Sequence, residues 1–232
     1  MFQISKLKFW ANGIAAACSS IAFAAILGIA SNSSAAVLLP GGSVTPTALG
    51  TLPAGDTILV VGGNPVTETN AFTGTDAFGN VKFTGTLTSS VYSDPGTGGL
   101  DFLYQATNDA SSVDAFDEVS LKSFSGFNTD VDYVTGTGAT NPNQATRSSD
   151  TPGKNVAFFF NSGVPQASNT SDLLIETNSA NYMTGVGSVI DGGAGGTTIE
   201  APAVGTLMTV PEPASFSAIV IVGGILLGRR RR

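Results

Sequence analysis

The sequence predicts an all-β fold, an antiparallel β-sandwich whose connections follow either a jelly-roll or an immunoglobulin-like order. Two observations support this prediction. Apolar and polar residues alternate with a period of two in the middle of the chain, as in strands that bury one face. The 29 glycines and 11 prolines favour turns between short strands, and no stretch has the pattern of a long amphipathic helix. The chain divides into residues 1–36, 37–209 and 210–232.

Residues 1–36 have the three parts of a secretory signal peptide. Two lysines give a positive start, and an uncharged apolar run extends from Ile14 to Ala30. Ser34 and Ala36 then supply the small residues that a signal peptidase requires, with cleavage expected after Ala36. A permanent N-terminal membrane anchor is the alternative, because the apolar run is close to the shortest length that spans a bilayer. The expected partners of this segment are the secretory translocon and signal peptidase.

The alternation of apolar and polar residues defines two strands, Val81–Val91 and Leu100–Ala106, which a turn at Asp94–Gly99 joins into an antiparallel hairpin. Residues 37–56 and 141–154 are predicted loops, and the glycine-rich stretch Asp191–Gly196 is a predicted turn. Seven further short strands are predicted: Thr57–Val61, Glu118–Phe124, Val131–Thr135, Val156–Phe160, Leu173–Thr177, Ser188–Ile190 and Thr197–Glu200.

The segment Val156–Phe160 contains three consecutive phenylalanines and lacks alternation, which predicts a strand that is buried on both faces. Phe158 and Phe160 are the residues that we expect most firmly in the core. The segment of about 170 residues between the two ends is long enough to bury one core without disulfides.

Composition excludes several classes of function. The chain has no histidine, and its single cysteine, Cys18, lies in the predicted signal peptide, so Ser-His-Asp sites, Cys-His sites and most zinc sites are excluded. Residues 37–210 contain four basic and sixteen acidic residues, which argues against nucleic acid as a partner. No catalytic residues are assigned, and we expect a protein that is not an enzyme and needs no cofactor.

Carboxylates are the one reactive group that is abundant, and they leave two alternatives open. Hard cations such as calcium bind six to eight oxygen ligands, with Asp and Glu prominent among them. A pair of carboxylates could also serve a carbohydrate-acting enzyme. The candidate calcium ligands form two sets along the chain, namely Asp114, Asp117 and Glu118, and Asp130 and Asp132, which share one face of a strand by period two.

The C-terminus has three consecutive parts. An apolar, uncharged segment from Ala214 to Gly228 is a predicted short transmembrane helix, and a cluster of arginines that resists translocation follows it. Two prolines ahead of the segment prevent the helix from extending upstream. The motif that precedes the helix consists of Val210, Pro211, Glu212 and Pro213, and the terminal cluster consists of Arg229, Arg230, Arg231 and Arg232.

In the order of its parts, this terminus resembles the PEP-CTERM sorting signal. The resemblance implies a bacterial protein that is exported, held transiently in the inner membrane by its C-terminal helix, and processed by an exosortase, with extracellular polysaccharide as a further partner. Combined with the signal peptide, it predicts a non-enzymatic protein of the cell surface or extracellular matrix. A plain tail anchor is an alternative reading of the C-terminus. A calcium-dependent carbohydrate-binding module or a carbohydrate-acting enzyme is the alternative reading of the body.

Overall fold

The computed structural model describes residues 35–150 and 152–205, and every regular element in these two ranges is a β-strand. The all-β fold class predicted from the sequence is therefore confirmed. Fifteen of the strands join in one large sheet that is nearly closed and antiparallel apart from one short parallel pair, and the other two form a separate hairpin. In the same two ranges, no helix has the length and apolar character needed to cross a membrane.

The seventeen strands are numbered here in chain order and have these bounds: β1 Ala36–Val37, β2 Ser43–Val44, β3 Thr47–Leu49, β4 Thr57–Ile58, β5 Val60–Val61, β6 Asn64–Pro65, β7 Thr67–Thr75, β8 Val81–Ser93, β9 Leu100–Asn108, β10 Phe116–Leu121, β11 Thr129–Val134, β12 Gln144–Arg147, β13 Val156–Val164, β14 Ser168–Asn169, β15 Asp172–Thr177, β16 Tyr182–Ile190 and β17 Ala194–Pro202.

The strand order explains why the large sheet curls. Its main path is β1-β11-β15-β9-β8-β7-β17-β16-β10-β13-β12-β2, so the two outermost strands are β1 and β2. These strands are close neighbours in sequence, since β1 ends at Val37 and β2 begins at Ser43. A chain of that length reaches about 20 Å at most, and the two edges of the sheet must therefore approach each other.

Side chains from strands that are distant in this order meet in a single core. Phe83 of β8 and Phe116 of β10 have ring centroids 6.2 Å apart, although three strands separate β8 from β10 along the sheet. Phe102 of β9 similarly packs edge-on against Phe124, which follows β10, at 6.4 Å. The inner face of the curled sheet is thus packed with aromatic rings.

The predicted hairpin is confirmed. Strands β8 and β9 pair antiparallel from Gly85↔Asn108 to Ser93↔Leu100, and the predicted turn lies between them. Phe158 and Phe160 in β13 are buried as predicted, with 0% and 1% of their surface exposed. Phe159 between them is half-buried, so β13 is not covered completely on its second face.

Several predicted boundaries were wrong. The predicted loop 37–56 contains the second residue of β1 and all of β2 and β3, and the predicted loop 141–154 contains β12. These short strands have little apolar alternation and are held by pairing to distant strands. The predicted strand Thr57–Val61 is divided at Leu59, where one residue separates β4 from β5.

Strand β7 was missed altogether, because it contains five polar or charged residues among its first seven and offers little apolar signal. Its backbone pairs with β8 over nearly its whole length. The predicted strand Glu118–Phe124 is displaced, since β10 runs from Phe116 to Leu121. The predicted turn Asp191–Gly196 is shorter than expected, because β17 begins at Ala194.

Candidate functional site

Three carboxylates lie side by side on the outer face of the large sheet. Asp101 of β9 is directly opposite Glu176 of β15, and Glu176 is directly opposite Asp130 of β11. Residues that face each other across an antiparallel pair have Cβ atoms about 4.5–5.5 Å apart. These three residues therefore form a continuous line of acidic side chains, which we name the carboxylate row.

The alternation of the strands places the row on this face. Phe102, Ile175 and Val131 follow or precede the three acids in sequence and point into the core, where each is fully buried. Successive side chains of a strand point to opposite faces, so the acids must lie on the outer one. Sequence alternation alone would then predict that the row is exposed to solvent.

Asp101 does not follow that expectation, because its side chain is fully buried, with 0% of its surface exposed. Its carboxyl lies within hydrogen-bonding reach of the carboxyl of Asp56, which immediately precedes β4. Burial, followed by the negative charges of Asp56, Glu176 and Asp94, raises the pKa of Asp101 to about 9. Burial is also the main cause that raises the pKa of Asp56.

Glu176 occupies the centre of the row and is half-buried. Burial, with the charges of Asp132, Asp130, Asp56 and Asp94, raises the pKa of Glu176 to about 7. Like charges in a partly desolvated place oppose ionisation of one another. The row therefore changes its charge within the pH range in which most proteins work.

The structure separates the two sets of predicted calcium ligands. Asp130 and Asp132 flank the buried Val131 in β11, so both lie on the outer face, as the period of two predicts. Asp132 is almost completely buried, and its Oδ1 accepts a hydrogen bond of 3.1 Å from the backbone N–H of Thr47. This contact fastens β3 beside β11 and gives Asp132 a structural role.

The other set lies at the start of β10. Asp114 forms an exposed ion pair with Lys82 at 3.7 Å, and Asp117 is exposed. Burial and the charge of Asp117 raise the pKa of Glu118. In residues 35–150 and 152–205, no three Asp, Glu, His or Cys side chains converge closely enough to form a metal-binding group as they stand.

Two clefts adjoin the carboxylate row and share Asn128 and Asp130 in their walls. One has a volume of about 490 Å³ and lies between the segment 37–40 and the segment 126–130. The other has a volume of about 290 Å³ and is lined by Asp130 and Glu176 together with the turn residue Thr97. The row thus passes from a buried end at Asp101 to an open end at Asp130.

Arg147 forms the floor of the larger cleft and organises its walls. Its guanidinium donates hydrogen bonds to the carbonyl oxygens of Leu38 at 3.2 Å, Phe124 at 2.6 Å, Phe127 at 2.9 Å and Gly153 at 3.1 Å. These carbonyls belong to three separate loops, and a planar group with five donors can satisfy them together. Burial lowers the pKa of Arg147. We assign it a role in holding the loops.

The terminal candidates are placed only in part. Ala36, the last residue before the predicted signal cleavage, lies in β1 and pairs with Val131 of β11. The other terminal candidates lie outside the described residues, namely Ser34, Val210, Pro211, Glu212, Pro213, Arg229, Arg230, Arg231 and Arg232.

Sequence reasoning missed Asp56, Asp101 and Glu176 as candidate site residues. One available signal was the presence of Asp101 and Glu176 inside predicted strands, where acidic residues, and Asp in particular, are disfavoured. The cluster itself depends on long-range pairing, since Asp56, Asp101 and Glu176 are brought together from three distant segments.

Comparison of the chain with protein families, with curated proteins and with solved structures gives no match.

Proposed function

We propose that this chain is a non-enzymatic bacterial protein of the cell surface or extracellular matrix, exported by the general secretory route and sorted through its C-terminal signal. The observation that carries the proposal is the order of the terminal parts in the sequence: the motif Val210–Pro213, an apolar segment, and the arginine cluster. Exosortase-type processing and association with extracellular polysaccharide are parts of the proposal. The signal peptide and the transient inner-membrane stage belong to it as well.

The fold of the described residues, 35–150 and 152–205, is consistent with a stable exported domain. Its strands are joined across long sequence separations around one aromatic core, and in the predicted mature chain this core needs no disulfide. We further propose that the curled sheet packs as the two layers of a β-sandwich, in jelly-roll or immunoglobulin-like order. The contact between Phe83 of β8 and Phe116 of β10 supports this arrangement, because opposite parts of the sheet meet there.

The sorting proposal is tested by expressing the full-length chain in a bacterium that has an exosortase and determining the mass of the surface form. We expect a surface form that has lost Arg229–Arg232. Glu212→Ala should leave a full-length precursor in the membrane, whereas Glu68→Ala in the body should be processed normally. Deletion of the four arginines should release unprocessed protein into the medium. A surface form that retains Arg229–Arg232 would show that the segment is a plain anchor.

A calcium-dependent carbohydrate-binding module is a second candidate, and the two clefts beside Asp130 favour it. The larger cleft combines an aromatic residue, Phe127, with the carboxylate of Asp130, and both types of group are suited to bind sugars. A glycan array probed with the full-length chain, with and without calcium, tests this candidate. A reducing-sugar assay on any bound glycan tests the related carbohydrate-acting enzyme. Binding that needs calcium would favour the module, and hydrolysis that disappears with Asp130→Asn would favour the enzyme.

A further inference from the structure

Four carboxylate oxygens meet inside the protein without a hydrogen-bond donor. Both Oδ atoms of Asp101 and both Oδ atoms of Asp56 are buried, and no other residue donates a hydrogen bond to them. Buried polar atoms in folded proteins almost always have a partner, and an unpaired carboxylate is among the most costly exceptions. A pair of such groups that face each other needs positive charge between them, either a shared proton or a cation.

The groups that surround the pair do not supply that positive charge. Tyr92 of β8 and Glu176 of β15 lie directly opposite Asp101 on either side. Asp94, in the turn after β8, is also close enough to raise the pKa of Asp101 and of Asp56. Among the described residues, every charged group that acts on either carboxyl is acidic.

We propose that Asp56 and Asp101 bind a divalent cation of the calcium class at the buried end of the carboxylate row. Calcium takes its six to eight ligands from carboxylates, backbone carbonyls and water, and the two carboxylates would supply the charged part of that shell. The two negative charges balance the charge of the ion. Glu176, on the neighbouring strand, adds negative potential. The site differs from the five calcium ligands predicted from the sequence and does not depend on the proposed sorting function.

The position of the pair gives the cation a structural effect. Asp56 lies immediately before β4, and Asp101 lies in β9, an interior strand of the large sheet's path. A shared ion therefore ties the residues that lead into β4 to strand β9, across 45 residues of sequence. A ligand that binds only the folded chain raises its stability in proportion to the logarithm of the ligand concentration. Calcium should accordingly stabilise the whole fold.

The test is a calcium titration of the purified full-length chain in detergent, after treatment with EDTA, followed by calorimetry and thermal unfolding. We expect wild-type protein to bind calcium at concentrations up to about 1 mM, as extracellular sites do, and to unfold at a higher temperature with the ion. Asp101→Asn and Asp56→Asn should each weaken calcium binding about tenfold or more, because ligand charge sets the affinity.

Both variants should fold, because the new amide can donate a hydrogen bond to the remaining carboxylate. Without calcium, each should unfold at the same temperature as wild type or above it. Asp109→Asn is the matched control, since Asp109 is an exposed aspartate that directly follows β9 and should leave the calcium response unchanged. If Asp101→Asn fails to fold, Asp56→Asn provides the same measurement.

Three outcomes would overturn the proposal. Wild-type protein could show neither heat of binding nor a change in unfolding temperature with calcium at about 10 mM, well above the range of extracellular sites. In that case the two carboxyls share a proton. Alternatively, Asp101→Asn could retain the wild-type calcium response, or Asp109→Asn could lose it, and either result would place the ion elsewhere.

Discussion

Phe160 illustrates how single side chains hold the curled sheet together. Its ring is 1% exposed and packs edge-on against Phe116, with ring centroids 6.4 Å apart. Phe116 in turn contacts Phe72 at 6.1 Å and Phe83 at 6.2 Å, so four rings from β7, β8, β10 and β13 form one cluster. Edge-to-face contacts of this kind add to the free energy that burial of the rings provides.

We expect Phe160→Ala to lower the free energy of unfolding by about 3–5 kcal/mol, because it removes a buried ring and leaves a cavity. Guanidinium chloride unfolding of the full-length chain is the measurement. Phe78→Ala is the matched control, since Phe78 is 91% exposed and its loss should change stability by less than about 0.5 kcal/mol. Similar effects of the two variants would show that Phe160 is not in the core.

Gly85 of β8 lies where the two neighbouring strands leave no room for a side chain. The residue pairs with Phe72 of β7 on one side and with Asn108 of β9 on the other. A Cβ at this position would overlap the carbonyl oxygen of Thr107 and the ring of Phe72. Glycine here is required for space, and the backbone is otherwise that of an ordinary strand.

We expect Gly85→Ala to destabilise the protein by about 1–3 kcal/mol, the usual cost of forcing additional atoms into a packed interior. Gly196→Ala in β17 is the control, because the nearest atom to its Cβ would be the carbonyl oxygen of Gly187 at 4.0 Å. That change should be neutral or stabilise by up to about 1 kcal/mol, since alanine restricts the unfolded chain. Both values follow from chemical unfolding curves measured side by side, and equal destabilisation would contradict the close approach.

The whole molecule is strongly acidic, and several of its carboxyls are buried beside one another. The pKa of Asp101 is raised to about 9 and that of Glu176 to about 7, with burial as the largest cause in each. Groups whose pKa is higher in the folded chain than in the unfolded chain bind protons more tightly when folded. Their contribution to stability is therefore present at low pH and is lost as the pH rises through the folded value.

In the absence of calcium, we expect the free energy of unfolding to fall as the pH rises from about 5 to about 9. Glu176→Gln should remove the part of this fall that ends near pH 7. Asp101→Asn should remove the part that continues toward pH 9. Denaturant unfolding at a series of pH values in EDTA measures both.

Asp76→Asn is the control for this pH profile. Its hydrogen bonds with Asn80 lower the pKa of Asp76, so the group is ionised in both the folded and the unfolded chain throughout the range. The variant should therefore keep the full decline of stability with pH. A wild-type stability that rises between pH 5 and pH 9 would contradict the burial of the carboxylate row.

The sequence predicted the local features of the fold, because these features depend on residues that are neighbours in the chain. The alternation around Val81–Val91 predicted β8, and the glycine-rich turn after Asp94 predicted its hairpin with β9. The three phenylalanines of β13 predicted a buried strand. The all-β class followed from the same alternation and from the abundance of turn residues.

Other features depended on pairing between distant segments, which no local pattern encodes. Strand β7 has a polar sequence and exists because β8 supplies its hydrogen bonds. Asp101 occupies a polar position in an alternating strand, and local reasoning places it in solvent. Only the tertiary structure covers it with the segment of Asp56 and aligns it with Glu176, because strand register and burial are properties of the whole sheet.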